Sequence, residues 1–370
     1  MKILLLGEYS NVHNTLALGL RALGHQVCVA SDGDGWKNYP RDIDLSRENK
    51  GKGTFLFNLI KSLPHMKGYD VVQLINPMFL ELKAEHIEPI YRFLRRHNGK
   101  IVLGAFGMDH YWVSVNSVIR PLRYSDFNFG DMPRTDPEAE IYRKEWTGTR
   151  KELLNKTIAC DCDGIVAGLY EYWATYHEVS APGADSRPVC NKMTFIPFPI
   201  VLPEKPVTTA LGDRFRIFAG ISRGRSAYKG TDIMIEAARE VMKAYPDKIE
   251  LRIAEGIPFN EYTRMMEGSD AILDQLYSYT PSMNSLLAMS KGIIDIGGGE
   301  PENYIILGEE ELRPIVNVLP CKESVYSEIE RLTLNPEIIP ELKRQSVEYV
   351  RRHHDYIKVA QQYLDFYRTL

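Results

Sequence analysis

The sequence predicts an α/β protein built from two doubly wound domains that face each other across a cleft. Three observations predict it. The 370 residues exceed what one hydrophobic core usually serves, so two domains of roughly 180 residues are the expected division. In both halves, short continuous apolar runs alternate with stretches of helical periodicity, the pattern of a parallel sheet covered by helices. Between the halves, Pro197, Pro199, Pro203 and Pro206 fall within ten residues, a density that supports neither a helix nor a central strand.

Each element follows from local composition. Residues 3–6 form an apolar run closed by Gly7, as expected for a strand buried on both faces. Val12, Leu16, Leu20 and Leu23 follow at helical spacing, and Gly24 ends that helix before a strand at 26–30. The alternation continues with strands at 70–75, 100–104 and 163–167 and a helix at 85–97, while residues 33–53 and 124–146 read as excursions outside the sheet. After the prolines it begins again, with strands at 214–219, 250–254, 271–275 and 293–296 and helices at 231–244, 260–267 and 282–291. From residue 330 the chain reads as helices, the last over 347–370 and long enough to pack back on the first domain. The expected domains are residues 1–198 and 207–345, with 346–370 returning to the first.

Hydrophobic content of 44% and charged content of 25% fit a soluble globular chain, and a formal charge of −4 gives no electrostatic case for a nucleic-acid partner. The five cysteines, an odd number, argue against a disulfide framework and for a reducing cytoplasm. Cys160 and Cys162 lack the two further ligands that a zinc site needs, so no metal is expected. The N-terminal apolar run is too short for a signal-peptide core, and no stretch approaches the ~20 apolar residues needed to span a bilayer. Arg95, Arg96 and His97, like Arg351, Arg352, His353 and His354, read as solvated helix ends; a peripheral contact with the inner face of an anionic membrane is the alternative.

Open doubly wound sheets bind ligands outside the carboxyl ends of their strands, so site residues should follow strands. The segment GISRGRSAYKG at 220–230 does so. Gly220, Gly224 and Gly230 permit close backbone approach, Arg223, Arg225 and Lys229 supply positive charge, and a helix starting near Thr231 adds unpaired amides. Those features suit a pyrophosphate; the alternative is a solvated basic loop. In GGGEPE at 297–302, Gly297, Gly298 and Gly299 mark the close approach of a ligand or a strained turn. Glu300 and Glu302 are there to accept hydrogen bonds from sugar or ribose hydroxyls, unless the segment is a glycine turn before a capped helix. Ser282, Met283 and Asn284 open another helix and offer its amides to a phosphate, although Ser and Asn are also ordinary caps. In the first half, residues 7–13 lack the G-x-G-x-x-G spacing of a dinucleotide site. Asp109 and His110 are candidates for contacting an acceptor hydroxyl, or else form a structural hydrogen-bonding pair.

Residues 213–306 resemble the donor domain of family 4-type retaining glycosyltransferases (glycosyl transferases group 1), whose two Rossmann-like domains make the GT-B fold. The matching residues are Arg223 or Arg225 with Lys229 and Gly230, and then Ala288 and Met289 within LLAMSKG, followed by a strand and a glycine turn. The resemblance implies a nucleoside diphosphate sugar as donor, a saccharide or lipid-linked saccharide as acceptor, and retention of anomeric configuration. It also implies no required cofactor, stabilisation of the diphosphate leaving group by Arg223 or Arg225 together with Lys229, and a place in polysaccharide or glycoconjugate biosynthesis. The family carries two glutamates eight positions apart; here those positions hold Tyr279 and Leu287, and Glu300 or Glu302 is the candidate replacement. Two other functions fit the same layout: a nucleotide-sugar epimerase, and a non-catalytic sugar-nucleotide-binding partner of another enzyme.

Overall fold

A computed structural model describes residues 1–47, 50–179, 189–204, 207, 209–221 and 226–370. The chain forms two compact units. The first comprises Met1–Arg123, Gly130–Pro199 and Tyr356–Leu370; the second comprises Tyr124–Phe129 and Ile200–Asp355.

The first unit is a seven-stranded sheet of β1 (Lys2–Leu6), β2 (Gln26–Ser31), β3 (Ile43–Asp44), β4 (Val71–Leu74), β5 (Lys100–Ala105), β6 (Gly164–Ala167) and β7 (Met193–Phe195). Its strand order is β3-β2-β1-β4-β5-β6-β7, and every pairing is parallel. The apolar runs of β1 and β4 are buried, with Ile3, Leu4, Leu5 and Leu6 wholly inaccessible, while Val27 and Cys28 of β2 are half-buried. Residues 33–53, read as an excursion, contribute the short edge strand β3 and lead into helix α2 (Lys52–Ser62).

Helix α1 (Val12–Ala22) follows β1 and packs against the last helix of the chain, Tyr356–Thr369. The C-terminal helix therefore does return to the first unit, as the sequence suggests. Close approach requires Gly19, where a Cβ would lie 2.3 Å from the Tyr356 carbonyl oxygen and 2.7 Å from the Ala360 Cβ. Tyr367 reaches the sheet from this helix and donates to the buried Gln73 side chain at 3.2 Å. The expected single helix over 347–370 is two, Ile339–His353 and Tyr356–Thr369. The break falls where the Ile200 amide takes the His354 carbonyl at 2.7 Å and Ile200 bridges Asp355, bonding that competes with continuation of the helix.

The second unit is a five-stranded sheet of β8 (Phe215–Ile221), β9 (Ile249–Glu255), β10 (Ala271–Leu273), β11 (Ile294–Gly297) and β12 (Val316–Asn317). The order is β9-β8-β10-β11-β12, again all parallel. Phe215, Ile217, Met234, Val241, Leu273 and Ile296 belong to its principal core. The strand β12 and the helix Lys322–Leu334 that follows it complete the sheet side of this unit. No helix among the described residues is long and apolar enough to cross a membrane.

The glycine at the α1 contact gives a direct test. Gly19→Ala places a methyl group inside backbone of the C-terminal helix and should lower stability by about 1–3 kcal/mol, read as a shift of the urea midpoint at unchanged slope.

Candidate functional site

Strand order in the second sheet reverses between β8 and β10, so the loops leaving those two strands diverge from a shared edge. Both loops carry residues singled out in the sequence. The loop after β8 runs into the short helix Ser226–Lys229 and then, through Gly230, into the helix Thr231–Ala244. Arg223, Gly224 and Arg225 lie outside the described residues. Lys229 is half-buried, and its carbonyl accepts from the Leu276 amide at 3.0 Å, which pins one loop to the other. Gly230 sits at φ 71°, and a Cβ there would lie 2.6 Å from the Leu276 Cβ, so both conformation and space demand glycine.

A second set of contacts ties in Gly220, Ser282 and Asn284. A Cβ on Gly220 would lie 2.5 Å from the Tyr262 hydroxyl, and that hydroxyl accepts from the Asn284 side-chain amide at 2.9 Å. Ser282 caps the helix Met283–Ser290 in position but not by its side chain; its hydroxyl donates instead to Asp274. Gly220, Lys229, Ser282 and Asn284 thus gather at one edge of one sheet.

The GGGEPE turn follows β11. Gly298 and Gly299 lie against the chain itself: a Cβ on Gly298 would be 2.2 Å from the Ser278 carbonyl oxygen, and one on Gly299 2.6 Å from Ile315. The Gly299 amide donates to the Asn317 side chain at 2.9 Å. This packing brings Glu300, 5% exposed, against the 274–284 loop, where its amide donates to the Tyr279 carbonyl at 3.1 Å. The Glu300 carboxylate accepts from the Tyr124 hydroxyl at 2.6 Å, and the Tyr124 ring packs on that of Tyr279 with centroids 4.8 Å apart. Glu302, half-buried, lies in the first turn of the helix Pro301–Leu307. Leu287 packs on the apolar cluster of Phe218, Ile272 and Ala288. A cavity of about 510 Å³ opens beside the turn, lined by Gly299, Pro301, Tyr304, Arg313 and Asn317.

Tyr124 belongs to a six-residue segment, Tyr124–Phe129, that the first half of the sequence contributes to the second unit. Phe129 packs edge-on against Tyr277 at 5.3 Å, and Tyr124 and Phe129 bridge each other. Sequence reasoning missed Tyr124, and the local signal was present only as an aromatic-rich stretch outside any strand pattern.

The first sheet reverses between β1 and β4. A cavity of about 250 Å³ lies at that edge, lined by Gly7, Glu8, Tyr9, Asp32, Phe79 and Glu81 among others. Glu8, also unnoticed in the sequence, accepts backbone amides of His13 at 3.2 Å and Asn14 at 2.8 Å. Burial pushes its carboxyl up to about 8 despite those bonds. Asp109 and His110 follow β5 and are buried with their polar atoms engaged. The Asp109 carboxylate accepts from the Trp112 amide at 2.8 Å, capping the helix His110–Val118, and from the Tyr176 hydroxyl at 2.5 Å; burial raises it to about 6. The His110 Nδ1 lies 2.8 Å from the Trp146 carbonyl oxygen and its Nε2 is 3.7 Å from Glu152, while burial lowers its basicity. Among the described residues there is no group of three or more metal-ligating side chains, and burial pushes the Cys162 thiol up to about 12.

Two parallel sheets with these strand orders, and a C-terminal helix packed on α1, define the GT-B fold. Solved structures of that fold span the whole chain. Sucrose-phosphate synthase from Thermosynechococcus elongatus superposes with a TM-score of 0.64 at 13% identity, covering 100% of this chain and 99% of its own. HepE of Anabaena in complex with UDP and glucose gives 0.63 at 12% identity, covering 100% of both chains. The UDP-GlcNAc 2-epimerase of Neisseria meningitidis, bound to UDP-GlcNAc, gives 0.53 at 11%, again over 100% of both. No protein-family model and no curated protein sequence matches the chain. The structural similarity is thus to nucleotide-sugar glycosyltransferases and to UDP-GlcNAc 2-epimerases.

Two measurements probe these edges. The stability that Glu8 contributes is whole below its unfolded value of 4.5 and is lost as pH rises through about 8, because the folded state binds the extra proton. Glu8→Gln should therefore flatten the fall in melting temperature between about pH 5 and about pH 8. Tyr124→Phe keeps the ring on Tyr279 but removes the hydroxyl from Glu300, and should lower the unfolding free energy by about 1.5–3 kcal/mol in urea titrations.

Proposed function

We propose that the chain transfers a glycosyl unit from a nucleoside diphosphate sugar to a hydroxyl of a saccharide or lipid-linked saccharide, with the donor held by the second unit. The observation that carries this reading is the Glu300 carboxylate. It lies beside Tyr279, the position where family 4-type enzymes have their first glutamate, bonded to it through the backbone and through Tyr124. A carboxyl group thereby lies next to the position where the family pattern has a glutamate and this chain has Tyr279. In this reading Glu300 meets the donor sugar, and Lys229, with Arg223 and Arg225, meets the diphosphate.

The reaction breaks the bond between the anomeric carbon and the phosphate oxygen, the diphosphate takes the electron pair, and the acceptor oxygen bonds to carbon as its proton passes to the departing diphosphate oxygen. Cations at the diphosphate stabilise charge that grows in the transition state. Retention of configuration comes with the family resemblance. Asp109 and His110 hold the loop after β5 in position, and the cavity beside Glu8 takes the acceptor. No step calls for a metal or another cofactor.

The similarity to the Neisseria epimerase favours a second reading, epimerisation of the nucleotide sugar itself. Uridine diphosphate sugars are the first donors to try, because HepE and that epimerase hold UDP or a UDP sugar. A thermal-shift screen of such sugars should find one that stabilises the protein, since a ligand of the native state raises its melting temperature by mass action. Lys229→Ala should weaken that ligand about tenfold or more, equivalent to ~1.4 kcal/mol. An unchanged response would remove the phosphate role of Lys229. Product analysis then separates the readings: labelled sugar on an acceptor supports transfer, and an epimerised donor formed without acceptor defeats it.

A further inference from the structure

Helix α2 in the first unit carries its apolar residues on both sides. Phe55 and Leu59, one turn apart, are buried and seat the helix on the unit. On the opposite side Leu56, Phe57 and Ile60 are 52%, 66% and 57% exposed. At about 100° per residue, positions 53, 56, 57, 60 and 61 lie on one outward side of α2, where Leu56, Phe57 and Ile60 occupy the face that a surface helix ordinarily gives to polar side chains.

Along the chain, the charged residues of α2 and its immediate flanks have one sign. From residue 50 to residue 69 the sequence holds Lys50, Lys52, Lys61 and Lys67 and no Asp or Glu, in a chain whose net charge is −4. Lys50 pairs with Asp44 at 2.8 Å, and Lys67 lies 5.0 Å from the Phe93 ring centroid. Lys52 and Lys61, on α2 itself, are exposed. The basic helix ends elsewhere differ. Arg95 is paired with Asp163 and Asp161, and Arg352 with Glu309 and Glu311, so their charge is met within the fold.

We propose that α2 docks the first unit on an anionic lipid surface, with Leu56, Phe57 and Ile60 entering the headgroup–acyl boundary and Lys52 and Lys61 meeting lipid phosphates. Exposed apolar bulk flanked by lysines is the composition of helices that lie in a bilayer interface. A second copy of the chain is the poorer occupant, because a two-fold contact through this face would set the same lysines against each other.

The test uses the full chain and vesicles of phosphatidylcholine with or without phosphatidylglycerol, read by co-sedimentation. Binding should be about tenfold or more stronger to the anionic vesicles and should weaken with added salt. The double variant Phe57→Glu, Ile60→Glu should lose it, and Lys52→Glu with Lys61→Glu should abolish the preference for anionic lipid. All four positions face solvent, so the melting temperature and the response to nucleotide sugars should remain as in the parent, which separates this inference from the transferase reading. Equal binding to both vesicle types, or retention of binding by the apolar double variant, overturns the proposal. So does a concentration-dependent dimer that disappears in that variant when no vesicle binding is seen.

Discussion

Parallel strands send their outgoing loops to one edge of a sheet, and where the strand order turns back, two of those loops part and leave room between them. In the second unit this happens at β8 and β10, and the gap is held by the hydrogen bond between the Leu276 amide and the Lys229 carbonyl. The position of Lys229, the left-handed turn at Gly230 and the course of residues 274–284 all follow from that pinning. The turn after β11 then packs on the same loop through Gly298 and Ser278, which is how Glu300 comes to lie beside Tyr279.

The strands and helices were largely legible because their signals are local. Residues 231–244 read as a helix and are one, and the runs at 3–6 and 293–296 became buried parallel strands to within a residue or two. What escaped was whatever depends on distant partners. The two-residue strands β3 and β12 are too short to carry a period of their own, and they exist because a neighbouring strand offers its edge. Helix α2 has apolar residues at 55, 56, 57, 59 and 60, so no single face stands out to mark it.

The candidate site divides in the same way. Gly220, Lys229, Ser282, Asn284 and Glu300 all lie in segments that follow strands of the second sheet, while Arg223 and Arg225 are outside the described residues. Composition could not say what the glycines of those segments are for. Gly298 and Gly299 make room for the protein's own Ser278 and Ile315, so the close approach there is by the chain itself. Glu8 was hidden for another reason: a single Glu after a strand has no motif, and only burial, with two backbone amides aimed at it, makes it unusual. Tyr124 lies far along the chain from Glu300, and no spacing rule connects them.

The segment Tyr124–Phe129 also bears on how the protein is divided. The polypeptide passes from one unit to the other after Arg123, Phe129, Pro199 and Asp355, so neither unit is a continuous stretch of chain. A fragment ending at Pro199 would lack the helix that covers α1, and one beginning at Ile200 would lack the tyrosine bonded to Glu300. Exchange of one half of the chain for another would have to carry with it the six-residue segment Tyr124–Phe129 and the returning C-terminal helix. Inheritance of the two units is therefore coupled, and change in one is constrained by what it lends to the other.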